Sequence, residues 1–362
     1  MNTSGKHPDL IVQQQHPFNA EPTLTQLLQA PITPNDLFFA RNHAPVPAVD
    51  VDAYRLSVTG LVEHPLELSL GDVYRLPKTT VTATLQCAGN RRKAVFAYKH
   101  VVGEVPWGDQ AISNAVWGGV RLSAVLERAG VLEGAQHVAC LGLDELGQGD
   151  KRFNFGGSIP LKKAQYEEVI LAYEMNGVPL LPLHGFPLRL VAPGYIGARS
   201  VKWLAQVCVQ QTPSSNHYQA RAYKLFAPHV DAKTVDWDKG LMLGEMSVNS
   251  SICVPEQGET LAPGVVEIKG YAITGGDRTV ERVEVSLDGG LRWVEARLSR
   301  VEPFAWCFWT VRLDLEPGTH RVVARAWDSA ANTQPEDLAK VWNFKGYMNN
   351  AWPRVTFDVG RA

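Results

Sequence analysis

The run Leu85-Gln86-Cys87-Ala88-Gly89-Asn90-Arg91-Arg92 sets a lone cysteine four and five residues ahead of two arginines. A thiolate beside fixed guanidinium charge is stabilised as the anion, and in that form it serves as a nucleophile or as a ligand for a soft metal. The run itself does not choose between these, nor against a small apolar cysteine in a turn beside two surface arginines. What the charge favours is an anionic substrate.

Three other runs and one isolated carboxylate have compatible chemistry. Phe39-Ala40-Arg41-Asn42-His43, His184-Gly185-Phe186-Pro187-Leu188-Arg189 and Gly194-Tyr195-Ile196-Gly197-Ala198-Arg199-Ser200-Val201-Lys202 gather Arg, His, Lys and Ser over glycines, and Asp144 stands alone. Backbone that can be approached closely at glycine, with forked and point-charge donors around it, suits a phosphate and a polar ring system. Each member also has an ordinary reading: His43 and His184 as loop histidines, Arg199 and Lys202 as solvated charges, Asp144 as a turn residue, Trp107 and Tyr223 as core or rim aromatics.

The elements that must position these residues are read from periodicity. Residues 1–35 are rich in Gln, Pro and Thr, with weak periodicity, and read as an extended arm, structure beginning at Leu37-Phe38-Phe39. From there to about residue 230, helical patterns such as Leu122, Val125 and Leu126 alternate with apolar runs such as Val169-Ile170-Leu171-Ala172-Tyr173, an α+β signature. After residue 240 the pattern changes. Val283, Val285 and Leu287 alternate with Glu284 and Ser286, then Asp288-Gly289-Gly290 marks a turn before Trp293; a similar alternation recurs at 311–315 and again at 320–327 after Pro317-Gly318. Short alternating strands with almost no helical period predict an immunoglobulin-like β-sandwich. The expected organisation is a catalytic domain over residues 1–238 and a sandwich domain over residues 239–362.

At 362 residues, with 45% hydrophobic and 20% charged residues, the chain has the composition of a globular protein with room for two or three cores. A net charge of -2 provides no footprint for nucleic acid or an anionic membrane, so an anion site has to be local. No apolar stretch reaches the roughly 18 residues of a membrane span. The five cysteines, Cys87, Cys140, Cys208, Cys253 and Cys307, are widely spaced and form no Cys-x-x-Cys pair, which suits reduced intracellular thiols. With no visible amino-terminal signal and no Ser-Lys-Leu terminus, the expected compartment is the cytoplasm.

Eight segments, in order along the chain, resemble the sulfite oxidase family of molybdenum enzymes. They are the run from Leu85 to Arg92; Phe38-Phe39-Ala40-Arg41-Asn42-His43-Ala44-Pro45-Val46-Pro47; Leu171-Ala172-Tyr173-Glu174-Met175-Asn176-Gly177; His184-Gly185-Phe186-Pro187; Gly197-Ala198-Arg199-Ser200-Val201-Lys202-Trp203-Leu204; Ile268-Lys269-Gly270-Tyr271-Ala272; Val285-Ser286-Leu287-Asp288-Gly289-Gly290; and Val341-Trp342-Asn343-Phe344. The resemblance implies one molybdenum-molybdopterin per chain, with Cys87 as the protein ligand to the metal. It implies that Phe39, Ala40, Arg41, Asn42, His43, Asp144, His184, Arg189, Ser200, Val201 and Lys202 hold the pterin and its phosphate. It places Arg41, Arg92, Trp107, Tyr223 and Lys345 around a sulfite anion that is oxidised to sulfate by oxygen-atom transfer.

Two positions depart from the family pattern. Lys345 follows Trp342-Asn343-Phe344 where relatives usually have arginine, and Ala222 precedes Tyr223 where aspartate is common. Lysine keeps the charge but loses the planar two-point grip, so Lys345→Arg is expected to tighten sulfite. No stretch carries the His-Pro-Gly-Gly motif of a cytochrome b5 domain or a Gly-x-Gly-x-x-Gly flavin fingerprint, so the layout resembles haem-free relatives, whose acceptor is dioxygen or a separate cytochrome. The resemblance further implies a homodimer formed through the sandwich domain. The rival readings are a nitrate reductase-like molybdenum core, against which Tyr223 speaks, and a non-catalytic anion-binding protein of the same fold.

Overall fold

Leu122, Val125 and Leu126 are spaced to share one helix face, and they form the buried side of the helix Leu122–Ala129. Gly130, at a φ of +67°, ends it in a conformation that disfavours other residues. The computed structural model describes residues 5–101, 103–148 and 151–361. Among these residues no helix is long and apolar enough to cross a membrane, and all five cysteines are free.

The first unit is built on two sheets. In one, Lys78–Gln86 pairs with Ile112–Arg121, which pairs with Ile170–Met175, flanked by Val178–Pro179 and Arg189–Val191, all antiparallel. The continuous apolar run here is the central strand expected of it, with Ile170, Leu171 and Ala172 fully buried. In the other, the order is Leu66–Leu68, Leu56–Gly60, Leu204–Gln210, His137–Gln148 and Lys151–Pro160; Leu56–Gly60 and Leu204–Gln210 run parallel. This is the α+β unit that the sequence predicts.

The second unit is a sandwich. Asn249–Val254, Gly264–Ile273, Cys307–Leu315 and Arg297–Leu298 form one sheet, and Thr260–Leu261, Arg354–Val359, Gly318–Asp328, Val280–Ser286 and Val294–Glu295 form the other. The alternating residues point inward: Ile268, Trp309, Val283, Val285, Val322 and Ala324 share the core between the sheets. Asp288 makes the expected turn, its Oδ1 accepting from the amides of Leu291 and Arg292. The strands on either side of Pro317-Gly318 lie in different sheets, so that link crosses the sandwich.

One expectation needs correction. The arm is built into the fold before Leu37: Ile11–Gln14 pairs with Asn19–Glu21, Thr23 and Gln26 form a capping box on Leu24–Leu27, and Ala20 bridges Ala40. Lys6 goes deeper, donating to the carbonyls of Asn35 (2.7 Å) and Phe38 (2.5 Å). Across residues 238 and 239 the two units are joined by the strand pair Lys224–Leu225 and Leu241–Met242, and Leu243, Met246, Tyr271, Trp306 and Tyr347 belong to the same apolar cluster as Leu190 and Tyr223.

Candidate active site

The strand Lys78–Gln86 delivers Cys87 to the junction of the two units. The Cys87 amide donates to Ala111 O (2.9 Å), and the Asn90 amide closes a turn onto Cys87 O (2.9 Å). Asn90 then ties the turn to both units, its Nδ2 donating to Tyr271 Oη (2.9 Å) and its Oδ1 accepting from the Ala111 amide (3.0 Å). Arg91 has a φ of +65°, which is costly for a residue with a side chain and persists because its surroundings fix it. Its Nη1 donates to Asn249 Oδ1 (2.8 Å), its Nε lies 3.4 Å from Asp109, and its carbonyl accepts from Asn349 (2.9 Å). The left-handed turn thus splits the two arginines: Arg91 locks the sandwich onto the turn, and Arg92 points the other way, toward Val105, Gly346 and Glu104.

Cys87 lines a cavity in the first unit. Phe39, Arg41, Asn42, His43, Cys87, Asp144, His184, Arg189, Ser200, Lys202 and Tyr223 all line it. Ala40, Arg92, Trp107, Val201 and Lys345 do not. Ala40 and Val201 are buried in backbone-paired positions, and Trp107 packs in the apolar cluster that contains Phe39 and Cys87.

One end of the cavity is basic. Lys202 donates to the carbonyls of Arg41 (3.1 Å) and Leu183 (3.0 Å) and to the Asn42 side chain. Arg189 donates to His184 O (2.9 Å) and Ser200 O (3.1 Å) while its guanidinium faces the Trp117 ring at 4.9 Å. Neither cation has a carboxylate within ion-pair distance among the described residues. Burial lowers Lys202 well below its ordinary value, with Arg189 adding to it, and lowers Arg189 to about 9. Burial also pushes the Asp144 carboxyl up to about 7, opposed by Lys202. His184 is kept neutral by burial and by the positive charges of Lys6, Lys202 and Arg189. Lys6 Nζ lies 3.3 Å from His184 Nε2, so the arm fixes this ring from behind.

The other end combines charge with aromatic stacking. Tyr223 Oη is 2.9 Å from His43 Nε2, and its ring stacks on Tyr347 at 5.1 Å. Burial raises the Tyr223 phenol, so it keeps its proton, and burial with the nearby Arg41 charge keeps His43 neutral. Arg92 sits 4.9 Å above the other face of this pair, over Tyr347, and Lys345 pairs with Glu104. Ala222 ends the turn Tyr218–Ala222 immediately before Tyr223 and leaves that approach without a carboxylate. Lys6, Glu104 and Tyr347 were not singled out from the sequence; each acts through a partner far along the chain, which no local motif signals.

A model of the oxidoreductase molybdopterin binding domain matches residues 43–218, and a model of the Mo-co oxidoreductase dimerisation domain matches residues 241–360. The sulfite oxidase of Arabidopsis thaliana is 42% identical over 99% of this chain and 96% of its own length. The chain belongs to the sulfite oxidase family. The mitochondrial sulfite oxidase of Homo sapiens is 47% identical over 97% of this chain and 66% of its own length, so the chain spans about two thirds of that relative. Among solved structures, the sulfane dehydrogenase SoxCD of Paracoccus pantotrophus superposes with a TM-score of 0.78 at 27% identity, covering 95% of this chain and 87% of that one.

The cavity fits the cofactor of the sulfite oxidase family. Among the described residues no three His, Cys, Asp or Glu side chains converge as a metal cage, so a metal at Cys87 needs most of its ligands from a carrier molecule. Cys87 Sγ accepts from the Gly89 amide at 3.4 Å, a contact of the kind that orients a ligating sulfur. Asp144 Oδ1, on the cavity wall, is buried without a partner, an acceptor in want of a polar group. Arg189 and Lys202, without carboxylates of their own, fit a phosphate that would hold both in their charged forms.

Proposed function

We propose that this chain oxidises sulfite to sulfate, with molybdenum-molybdopterin held between Cys87 and the pair Arg189 and Lys202. The observation that carries this reading is one cavity with a cysteine on its wall, an unpaired cationic end suited to a phosphate, and Arg41 with Tyr223 facing the remaining space. When bound, the cofactor supplies a two-electron centre able to pass an oxygen atom to sulfur. Sulfite gains one oxygen derived from water, and two electrons and two protons leave.

The residues of the chain bind and orient. Arg41 keeps its charge despite its burial, with the Glu104 carboxylate among the groups that favour it, so it offers a fork to an oxyanion. Tyr223, protonated and placed by His43, is available to donate a hydrogen bond to an oxygen of the anion. The aromatic pair Tyr223 and Tyr347 keeps water off the anion's flank, which strengthens both contacts.

The deciding experiment measures molybdenum content and then follows sulfite-dependent reduction of ferricyanide and of dioxygen by one sample. About one molybdenum per chain and turnover with at least one acceptor are expected, and the faster acceptor identifies the partner chemistry. Protein lacking molybdenum when made with cofactor biosynthesis intact, or loaded protein inert to sulfite, overturns the reading. The domain match at residues 241–360 supports a homodimer through the sandwich; a monomer mass by light scattering at micromolar concentration counts against it. The free thiols support a reducing compartment, and we propose the cytoplasm.

A further inference from the structure

Arg92 is held at three points. Its Nη1 donates to Val105 O (2.9 Å), its Nε to Gly346 O (3.2 Å), and its Nη2 lies 3.4 Å from Glu104 Oε2. The other oxygen of the same carboxylate meets Lys345. Two loops 241 residues apart are therefore joined by one acid shared between two bases. The three side chains grade outward, with exposures of 3% for Arg92, 13% for Glu104 and 21% for Lys345.

This cluster is not a remote strut. Arg92 lies on Tyr347, Tyr347 on Tyr223, and Tyr223 lines the cavity beside Arg41 and Cys87. The Glu104 charge acts on both Arg41 and Tyr223. A carboxylate sharing cations at the edge of an oxyanion pocket has the charge, planarity and donor requirements of the ligand itself. Arg41 on the cavity wall, with Arg92, Lys345 and Glu104 behind it, leaves a net two positive charges, which a dianion neutralises and a monoanion does not.

We propose that Glu104 is a resident counter-anion that sets the specificity of the substrate pocket: an incoming oxyanion takes over the Glu104 contacts to Lys345 and Arg92, so dianions compete well and monoanions poorly. The inference rests on the sulfite-oxidising reading of the same cavity. Release is favoured by geometry. Glu104 lies between a buried arginine and a more exposed lysine, so it turns toward solvent without leaving a charge buried and unpaired.

The test is Glu104→Gln in the cofactor-loaded protein, which keeps side-chain shape and removes the charge. KM for sulfite is expected to fall roughly tenfold, as for the loss of a competing charge-assisted contact, with kcat moving less than KM. Inhibition constants for nitrate and chloride are expected to fall more than that for sulfate, compressing the preference for the dianion. Glu104→Asp, which withdraws the carboxylate by one methylene, should lie between.

A purely structural Glu104, needed only to hold Arg92, would instead give a raised KM and an unchanged ratio of sulfate to nitrate inhibition, and that result overturns the proposal. Calorimetric binding of sulfate and nitrate to the loaded protein is read independently of turnover. Tighter binding in Glu104→Gln, with the larger gain for nitrate, supports the inference even if sulfite proves not to be oxidised. Equal binding in both proteins, in a sample that oxidises sulfite, defeats the inference and leaves the proposed function standing.

Discussion

The cationic end of the cavity and the cationic cluster behind its opposite wall are built differently. At one, Lys202 and Arg189 direct their hydrogen bonds at backbone carbonyls and an amide side chain and have no carboxylate within ion-pair distance among the described residues. At the other, Arg92 and Lys345 share Glu104. A buried cation without an acid is costly unless an anion stays with it, so the first end suits a phosphate bound for the life of the protein. A cation that already holds an acid suits an anion that comes and goes. On the proposed reading, the chain separates permanent from exchangeable anion binding by where it places a single glutamate.

The most severe way to break this comparison is to remove the group between the ends. Cys87→Ser is expected to keep the fold, since the cysteine amide and carbonyl rather than its sulfur hold the turn, while sulfite turnover falls more than about 100-fold, beyond the effect of losing an outer contact to a ligand. A far-ultraviolet dichroism spectrum like that of the parent, together with turnover by stopped assay, checks both parts. Undiminished turnover would remove Cys87 from the metal.

At the permanent end, Lys202→Met takes away the charge but keeps the buried stem. The molybdenum content of purified protein is expected to fall about tenfold or more, in the manner of a lost supporting contact, with elemental analysis as the measurement. Full loading would mean that Arg189 alone suffices for the phosphate. Equal loss of molybdenum in Lys345→Met would erase the distinction between the two ends.

How far these ends were visible in the sequence follows the range of the contacts that make them. The alternation at Val283 and Val285 and the helix period at Leu122, Val125 and Leu126 are local, and both emerged as read. Many residues of the cavity wall, among them Arg41, His184 and Lys202, lay in short runs whose composition already suited a phosphate and a ring system, whereas Asp144 and Tyr223 stood outside them. Arg91 and Arg92 were not separable as neighbours in a string, because a left-handed turn and the sandwich domain's Asn249 decide which way each points. The arm looked unstructured since its order comes from Ala40, Asn35 and Phe38 rather than from its own period. Glu104, in the unremarkable run Gly103-Glu104-Val105, acquires its meaning from Lys345 across the molecule.

At the exchangeable end, the role proposed for Glu104 changes one expectation. From the sequence, an arginine at position 345 should grip sulfite better than lysine does. With Glu104 present, the planar fork of Lys345→Arg grips the resident carboxylate better as well, so KM is expected to stay level or rise by roughly threefold. Combined with Glu104→Gln, the same substitution should lower KM. Steady-state KM values for the parent, both single variants and the double variant form a cycle whose coupling measures the competition directly; additive changes would show that Lys345 and Glu104 act separately on the anion.

The smallest effect, with no change in turnover expected, tests the premise that a buried charge without a partner is costly. Glu21 is almost wholly buried, its Oε1 accepting from Gln13 (2.7 Å) and the Gly108 amide (2.9 Å) while Oε2 has no partner, and no base pairs with it among the described residues. Burial pushes its carboxyl up to about 7. Because the folded value lies above the unfolded one, the associated stability is complete below about pH 4.5 and is lost as pH rises through 7, amounting to at most on the order of 3 kcal/mol. Glu21→Gln keeps both accepted bonds and carries no charge at any pH. Its melting temperature should therefore exceed that of the parent by a few degrees at pH 8 and match it at pH 5. An equal difference at both pH values would mean that Glu21 is not paying for an unpaired charge, and would weaken the same argument where it is applied to Lys202 and Arg189.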